Sequence, residues 1–248
     1  MSELVTSQLI NNVLHIDFHR EDKKNALTSE MYNTLSSILK NAKSDDDVNV
    51  VLFKGSDGCF CAGNDIADFL QQPVLEEGSP VLKFLHELSN FDKPMVAAVS
   101  GPAVGIGTTL LLHCDLVYAT EQTYFSLPFV DLGLCPEAGS SYLLPRQLGY
   151  VQAAELLLLA EPFDAPKAKQ LGIINDVVSI ENYYDIAQSK AEKLAKKPAH
   201  ALRVSRQLLR SNSGLVSKAI EREARSFSEL LNSDEAKAIF KKFLEKNS

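Results

Sequence analysis

From Met95 to Thr120 the chain reads MVAAVSGPAVGIGTTLLLHCDLVYAT. MVAAVSG (95–101) is an unbroken apolar run of strand length, the mark of a strand buried on both faces. Pro102 to Gly107 follows as a glycine-containing turn. TLLLHCD, from Thr108, reads as a short buried helix, and DLVYAT (115–120) returns as a strand. Upstream, VNVVLFKG (48–55) is a second buried strand, ending in the turn-rich SDGCFCAGND. Residues 4–19 alternate apolar and polar about Asn11-Asn12, which predicts a hairpin. Thr28 is the expected N-cap of a helix with Met31, Leu35, Ile38 and Leu39 on its apolar face, and Ser79-Pro80 opens another with Val81, Leu82, Leu85 and Leu88 inward. Downstream, YFSLP carries a short strand, the pattern turns helical from Tyr142, GIINDVV (172–178) is a last strand, and everything past about residue 181 is helical. Strands separated by helices and turns, then helices alone, predict an α/β fold with a helical C-terminal appendage. The boundary is drawn between residues 1–195 and 196–248.

With 248 residues, 45% hydrophobic and 23% charged, the chain has the composition of a folded globular protein. No apolar run is long enough to span a bilayer, and MSELVTSQLI lacks the basic and apolar regions of an export signal. A membrane is therefore not expected as a partner. Cys59, Cys61, Cys114 and Cys135 are too few and too scattered for a disulfide scaffold and fit no zinc spacing, so a reducing, cytoplasmic setting and no metal are expected. The net charge is −7, yet Lys196 to Ser248 carries 12 Lys and Arg against 6 Asp and Glu. That basic end reads as solvated helix faces, a subunit interface or a phosphate contact. An acidic chain without a binding motif is not expected to hold nucleic acid.

Three loops join an apolar strand to a helix through glycine: Cys61 to Ile66, Gly101 to Gly107, and Gly133 to Ser141. Glycine lets backbone N–H groups point outward and a helix start favours negative charge, so two facing loops of this kind would form an oxyanion site. Each loop alone is better explained by turn geometry. Glu137 stands among apolar neighbours, LGLCP before and YLLP after, and reads either as an exposed first-turn glutamate or as a buried general base. His113 lies in an apolar helix and reads as a core residue. No histidine has a Ser or Cys partner at a triad spacing.

The order and spacing of these loops resemble the crotonase (enoyl-CoA hydratase/isomerase) superfamily. FCAGNDIADF resembles its first oxyanion loop, KPMVAAVSGPAVGIGTTLLLHCDLVYAT its second, and YFSLPFVDLGLCPEAGSSYLLPRQLG its catalytic segment. The resemblance runs from about residue 5 to about 180, and the helical tail resembles the family's trimerisation region more loosely. It implies a spiral of β-β-α turns, an acyl-CoA thioester as substrate and partner, no further cofactor because coenzyme A belongs to the substrate, and a homotrimer or hexamer. It places an oxyanion hole on the backbone N–H groups of Asn64 and Ile106. Thr109 and Phe129 stand where the hydratases carry two glutamates. Glu137 stands where the peroxisomal-type 3,2-enoyl-CoA isomerases carry a single catalytic glutamate. Dienoyl-CoA isomerases carry an Asp there and a second acid at the position of Phe129.

The resemblance therefore implies isomerisation of a 3-enoyl-CoA to the trans-2-enoyl-CoA of fatty-acid β-oxidation, with Glu137 moving a proton from C2 to C4 and Phe129 as an apolar wall. It sets the adenine against Ala62, Asp65 and Ile66 and a phosphate near Lys24 or Lys23. Phe240 and Lys241 are candidate contacts to a neighbour's CoA, and residues 67–80 are expected to form a flap. Two alternatives stand beside it: hydrolysis or aryl-CoA processing by the same carboxylate, and a catalytically silent acyl-CoA-binding module.

Overall fold

The computed structural model describes residues 4–56, 58–71, 78–211 and 213–246. β1 (Val5–Ile10) and β2 (Val13–Phe18) pair antiparallel. Asn11 and Asn12 between them both take positive φ, 52° and 61°, as a two-residue turn between twisted strands requires. α1 (Ser29–Ser44) begins where expected, Thr28 Oγ1 accepting from the Met31 N–H at 3.3 Å. β3 (Val50–Lys54), α2 (Ile66–Gln71) and α3 (Pro80–Ser89) follow, with Ser79 capping α3 and Pro80 in its first turn. Of the flap expected over 67–80, residues 72–77 lie outside the described residues, and the ends belong to α2 and α3.

β4 (Met95–Val99) is buried at every position. β5 (Ala103–Val104), α4 (Ile106–Thr109), β6 (Leu116–Thr120) and β7 (Tyr124–Ser126) follow it. α5 (Ser140–Leu148) and α6 (Tyr150–Ala154) come next, α6 running into a π-helical turn at Glu155–Leu159. β8 (Phe163–Asp164), α7 (Ala165–Gln170) and β9 (Asp176–Val178) complete the strand-bearing part. β9 is shorter than GIINDVV suggests, because Ile173 and Ile174 are buried in the turn ahead of it.

The large sheet has the order β1-β2-β3-β4-β6-β9, parallel from β2 onward. A small sheet has the order β5-β7-β8. The chain steps from β4 to β5 and from β6 to β7, and after β3 it touches the small sheet through a parallel bridge between Cys61 and Ala103. This repeated passage from large sheet to small sheet to helix winds the chain into the expected spiral.

Alternation along the strands sorts residues to two faces. Val50, Leu52, Val96 and Ala98 pack against Tyr183, Ala187, Ala191 and Ala195 of α8 (Tyr183–Ala195), whose small residues let it lie close to the sheet. Val51, Phe53, Met95, Ala97 and Val99 face the main core with α1 and α3.

α9 (Ala199–Leu209), α10 (Ser213–Leu231) and α11 (Asp234–Lys246) end the chain. α10 and α11 pack onto the main core. Ile220, Phe227, Leu231, Ala236 and Phe240 belong to the main core. Phe240, a candidate contact to a neighbour's CoA, is 2% exposed within its own chain, because α11 folds back onto the core. α9 buries only Arg206, which holds Asp115 Oδ2 at 2.7 Å and donates to the carbonyls of Phe91 and His113. Among the described residues no helix is long and apolar enough to cross a membrane.

Candidate active site

The segment from Cys61 to Asp65 is stitched along both edges. On one side the Cys61 N–H donates to Pro102 O at 3.0 Å and the Val104 N–H to Cys61 O at 2.9 Å. On the other, the Ala62 N–H donates to Lys24 O, the Leu27 N–H to Gly63 O and the Asp65 N–H to Leu27 O, all within 2.9 Å. The Asn64 N–H donates to no described residue. The Ile106 N–H, in the first turn of α4, is likewise without an acceptor among them. The approach of the two loops depends on glycine. Gly105 has φ +55° and ψ −119°, a region that side chains avoid. A Cβ on Gly107 would lie 2.4 Å from the Cys61 carbonyl oxygen.

Two residues invisible to sequence reasoning hold this arrangement. The buried Tyr32 hydroxyl donates to Asn64 Oδ1 at 2.5 Å. Burial, with Glu137 nearby, pushes its pKa well above the ordinary value, so the hydroxyl keeps its proton. Asn25, fully buried with φ 54°, donates to the Cys59 carbonyl at 2.9 Å and ties the Lys24–Leu27 segment to the first loop.

Glu137 is buried at the head of α5. Ala138 and Gly139 follow it with φ of 57° and 75°. A non-glycine residue in this region carries strain that surrounding contacts must offset, and His113 Nε2 meets the Ala138 carbonyl at 2.8 Å. The Ser140 N–H and hydroxyl donate to the Glu137 carbonyl at 3.0 and 2.6 Å. The Thr109 hydroxyl donates to Glu137 Oε1 at 2.5 Å, and Oε2 has no partner among the described residues. Burial raises the pKa to about 8 against the opposing Thr109 hydrogen bond, and Glu223 adds to the rise.

Glu137 and Asn64 line one narrow pocket with Phe69, Leu82, Phe227 and Glu223. Its volume, about 10 Å³, is room for about one water. Glu223, on α10, was not singled out from the sequence. Its Oε2 accepts from the Gly139 N–H at 2.6 Å, and its Oε1 from the Ser141 N–H and hydroxyl at 2.9 and 2.5 Å.

The remaining expected site residues are placed as follows. Asp65 is engaged in structure: its Oδ2 pairs with Arg20 at 2.7 Å and its Oδ1 accepts from the Asp68 N–H. Burial alone would raise its carboxyl, but the Asp68 N–H and the Arg20 guanidinium hold it below the usual value. Ala62 and Ile66 flank Asn64 and are half-buried, and Lys24 is exposed. Phe129 is buried in the core and is not among the residues lining the pocket. His113 is a core residue with Nδ1 unpartnered, and burial lowers its pKa to about 3.

Two backbone N–H groups without acceptors among the described residues lie on apposed glycine loops of this α/β protein, and the buried Glu137 carboxylate lines one pocket with Asn64. The family described as enoyl-CoA hydratase/isomerase matches residues 8–248, and the chain belongs to it. It is 37% identical to enoyl-CoA delta isomerase 2 of Rattus norvegicus over 84% of this chain and 54% of that one, so it spans about half the length of that relative. It is 34% identical to 1,2-epoxyphenylacetyl-CoA isomerase of Escherichia coli (strain K12), covering 85% and 83% of the two chains. The solved structure of OdaA from Pseudomonas aeruginosa superposes with a TM-score of 0.95 at 42% identity, covering 98% and 99%.

Proposed function

We propose that the protein shifts the double bond of a 3-enoyl-CoA to give the conjugated trans-2-enoyl-CoA, with Glu137 as the only acid–base group. The Glu137 carboxylate takes a proton from C2. The C–H electron pair forms a C1–C2 double bond as the carbonyl π pair moves onto the thioester oxygen, giving a dienolate conjugated with the C3–C4 double bond. The same carboxyl then returns the proton at C4, and the electrons collapse to a C2–C3 double bond. The Asn64 and Ile106 N–H groups receive the developing oxyanion, each such donor lowering the barrier by about 3–4 kcal/mol. A pKa near 8 suits a group that must both take and give a proton at neutral pH.

The observation that carries this reading is the count of available carboxylates. Glu137 keeps one oxygen free, whereas both oxygens of Glu223 are occupied by backbone and hydroxyl donors. Activation of water between two carboxylates therefore lacks its second partner, because Thr109 supplies a hydroxyl that donates to Glu137. The pocket at about 10 Å³ means that Phe69, Leu82 and Phe227 must part to admit an acyl chain. Lys24, Ala62, Asp65 and Ile66 form the edge along which the CoA moiety is proposed to lie, the first as a phosphate contact. Phe129 is proposed to act through packing rather than contact.

Self-association belongs to this proposal, as a homotrimer or hexamer. Tyr150, Val151, Leu158, Leu159, Leu208 and Leu209 expose large apolar side chains on α6, its π-helical turn and α9.

Product analysis after incubation with a trans-3-enoyl-CoA distinguishes the chemistries. Accumulation of the conjugated 2-enoyl thioester, without free CoA or a hydroxyacyl product, is expected. Release of free CoA would make the protein a thioesterase instead.

A further inference from the structure

Glu223 is a buried carboxylate that the proton shuttle does not use. It lies on α10, 6% exposed, on the same stripe as Ile220, Ala224 and Phe227. A charged group on the buried face of an amphipathic helix needs partners that offset its lost hydration. It finds them in the turn that follows Glu137: the Gly139 and Ser141 N–H groups and the Ser141 hydroxyl all converge on it. Successive N–H groups at a left-handed turn and helix start form a concave anion site, so the carboxylate completes the N-terminus of α5. All three of these groups donate to the carboxylate, which suits its ionised form. Close packing enforces the same contact, since a Cβ on Gly139 would meet Val216 Cγ1 of α10 at 2.9 Å.

We propose that Glu223 is a positioning residue for the isomerase reading given above. By gripping the turn from Gly139 to Ser141 it stabilises the strained Ala138 conformation and fixes the direction in which Glu137 leaves the backbone. The base is thus held at two points: Thr109 fixes its carboxyl from α4, and Glu223 fixes its backbone from α10. The proposal rests on Glu137 being the base.

A second effect follows from charge. Tyr32 from α1, Cys61 from the first loop, Asp68 from α2, Cys135 from the same loop as Glu137, and Arg222 and Glu223 from α10 are titratable groups whose charge bears on this site. Burial holds the Cys61 thiol up at about 12 and Cys135 at about 11, and Tyr32 also stays protonated, so these three remain neutral near pH 8. Burial pushes Glu223 up as well, opposed by its Ser141 and backbone donors. Negative charge on Glu223 disfavours a second negative charge on Glu137.

The test uses the full chain. The side-chain carboxyl of Glu137, labelled with ¹³C and assigned by its loss in Glu137→Gln, is titrated by NMR in the wild type, Glu223→Gln and Ser141→Ala. kcat and KM for a 3-enoyl-CoA are measured alongside. Glu223→Gln keeps the length but loses the charge and one acceptor. It should lower kcat roughly 10²-fold with little change in KM, as misplacement of a catalytic group does, and Glu137 should titrate at lower pH. Ser141→Ala keeps the charge and should lower kcat less, with the Glu137 midpoint unmoved. A folded Glu223→Gln protein with wild-type kcat, or with an unmoved Glu137 midpoint, overturns the proposal. If Glu223→Gln does not fold, a wild-type kcat in Ser141→Ala overturns it alone. A wild type that titrates as described but never isomerises refutes the reaction, not the positioning.

Discussion

At Glu137 three demands meet: the group must be buried, must keep one oxygen free, and must tolerate a left-handed residue directly after it. The first demand has a thermodynamic consequence. Its carboxyl holds a proton up to about pH 8 in the folded chain but only to about 4.5 when unfolded. Between those values the native state binds more protons, so stability falls as pH rises through that window. Glu137→Gln removes this penalty. The variant is expected to be more stable than wild type at pH 8, by on the order of 4 kcal/mol, and equal to it near pH 4. Denaturant unfolding at the two pH values measures this, and a pH-independent difference would show that Glu137 ionises as an ordinary carboxylate. A lone acid between LGLCP and YLLP marks position 137 in the sequence, but whether it is exposed or buried is not legible there. Glu223 was not legible, since its partners lie more than 80 residues away, although the stripe Val216, Ile220, Ala224, Phe227 on its own helix marks the position as buried.

Among elements, the apposed loops matter most. The Asn64 N–H is directed by hydrogen bonds on both edges of its segment, and the bridge from Cys61 to Ala103 brings the second loop beside it. Gly107 is where this approach is tightest and its φ is unremarkable, so the demand there is space alone. Gly107→Ala must push the Cys61 carbonyl away and separate the two donors. A loss of kcat of roughly 10²–10³-fold is expected, as for removal of one oxyanion donor, with about 1–3 kcal/mol of stability lost to overpacking. Turnover and chemical unfolding of this variant test both, and near-wild-type kcat would mean that the loops need not touch. Period, caps and turn residues made the hairpin, α1, α3 and β4 readable. β8 escaped because a two-residue strand has no period, and β9 shrank because the apolar run before it packs as a turn.

On the scale of the whole molecule, the spiral places α8 on one side of the large sheet and the apposed glycine loops on the other. Of the C-terminal helices, α10 closes the pocket and brings both Glu223 and Phe227 to it. A division into a core and a tail was the natural reading of a sequence whose strand signals stop near residue 180. Amphipathic helices do not announce whose apolar surface they cover, and here α10 and α11 cover their own. What they leave bare is specific: Leu209 is 88% exposed and Leu158 63%. Sedimentation is expected to give a mass above that of one chain, and Leu158→Asp combined with Leu209→Asp to reduce it. A wild type that sediments as a monomer contradicts self-association.

The most direct measurement is the initial rate of trans-3-enoyl-CoA conversion, followed by the absorbance of the conjugated thioester, in wild type and Glu137→Gln across pH 6 to 9. Proton shuttling by Glu137 requires a wild-type kcat/KM that rises with pH and levels off above about pH 8, and a variant with no turnover above background. Equal rates in the two proteins, or a wild-type profile flat through that range, would contradict it.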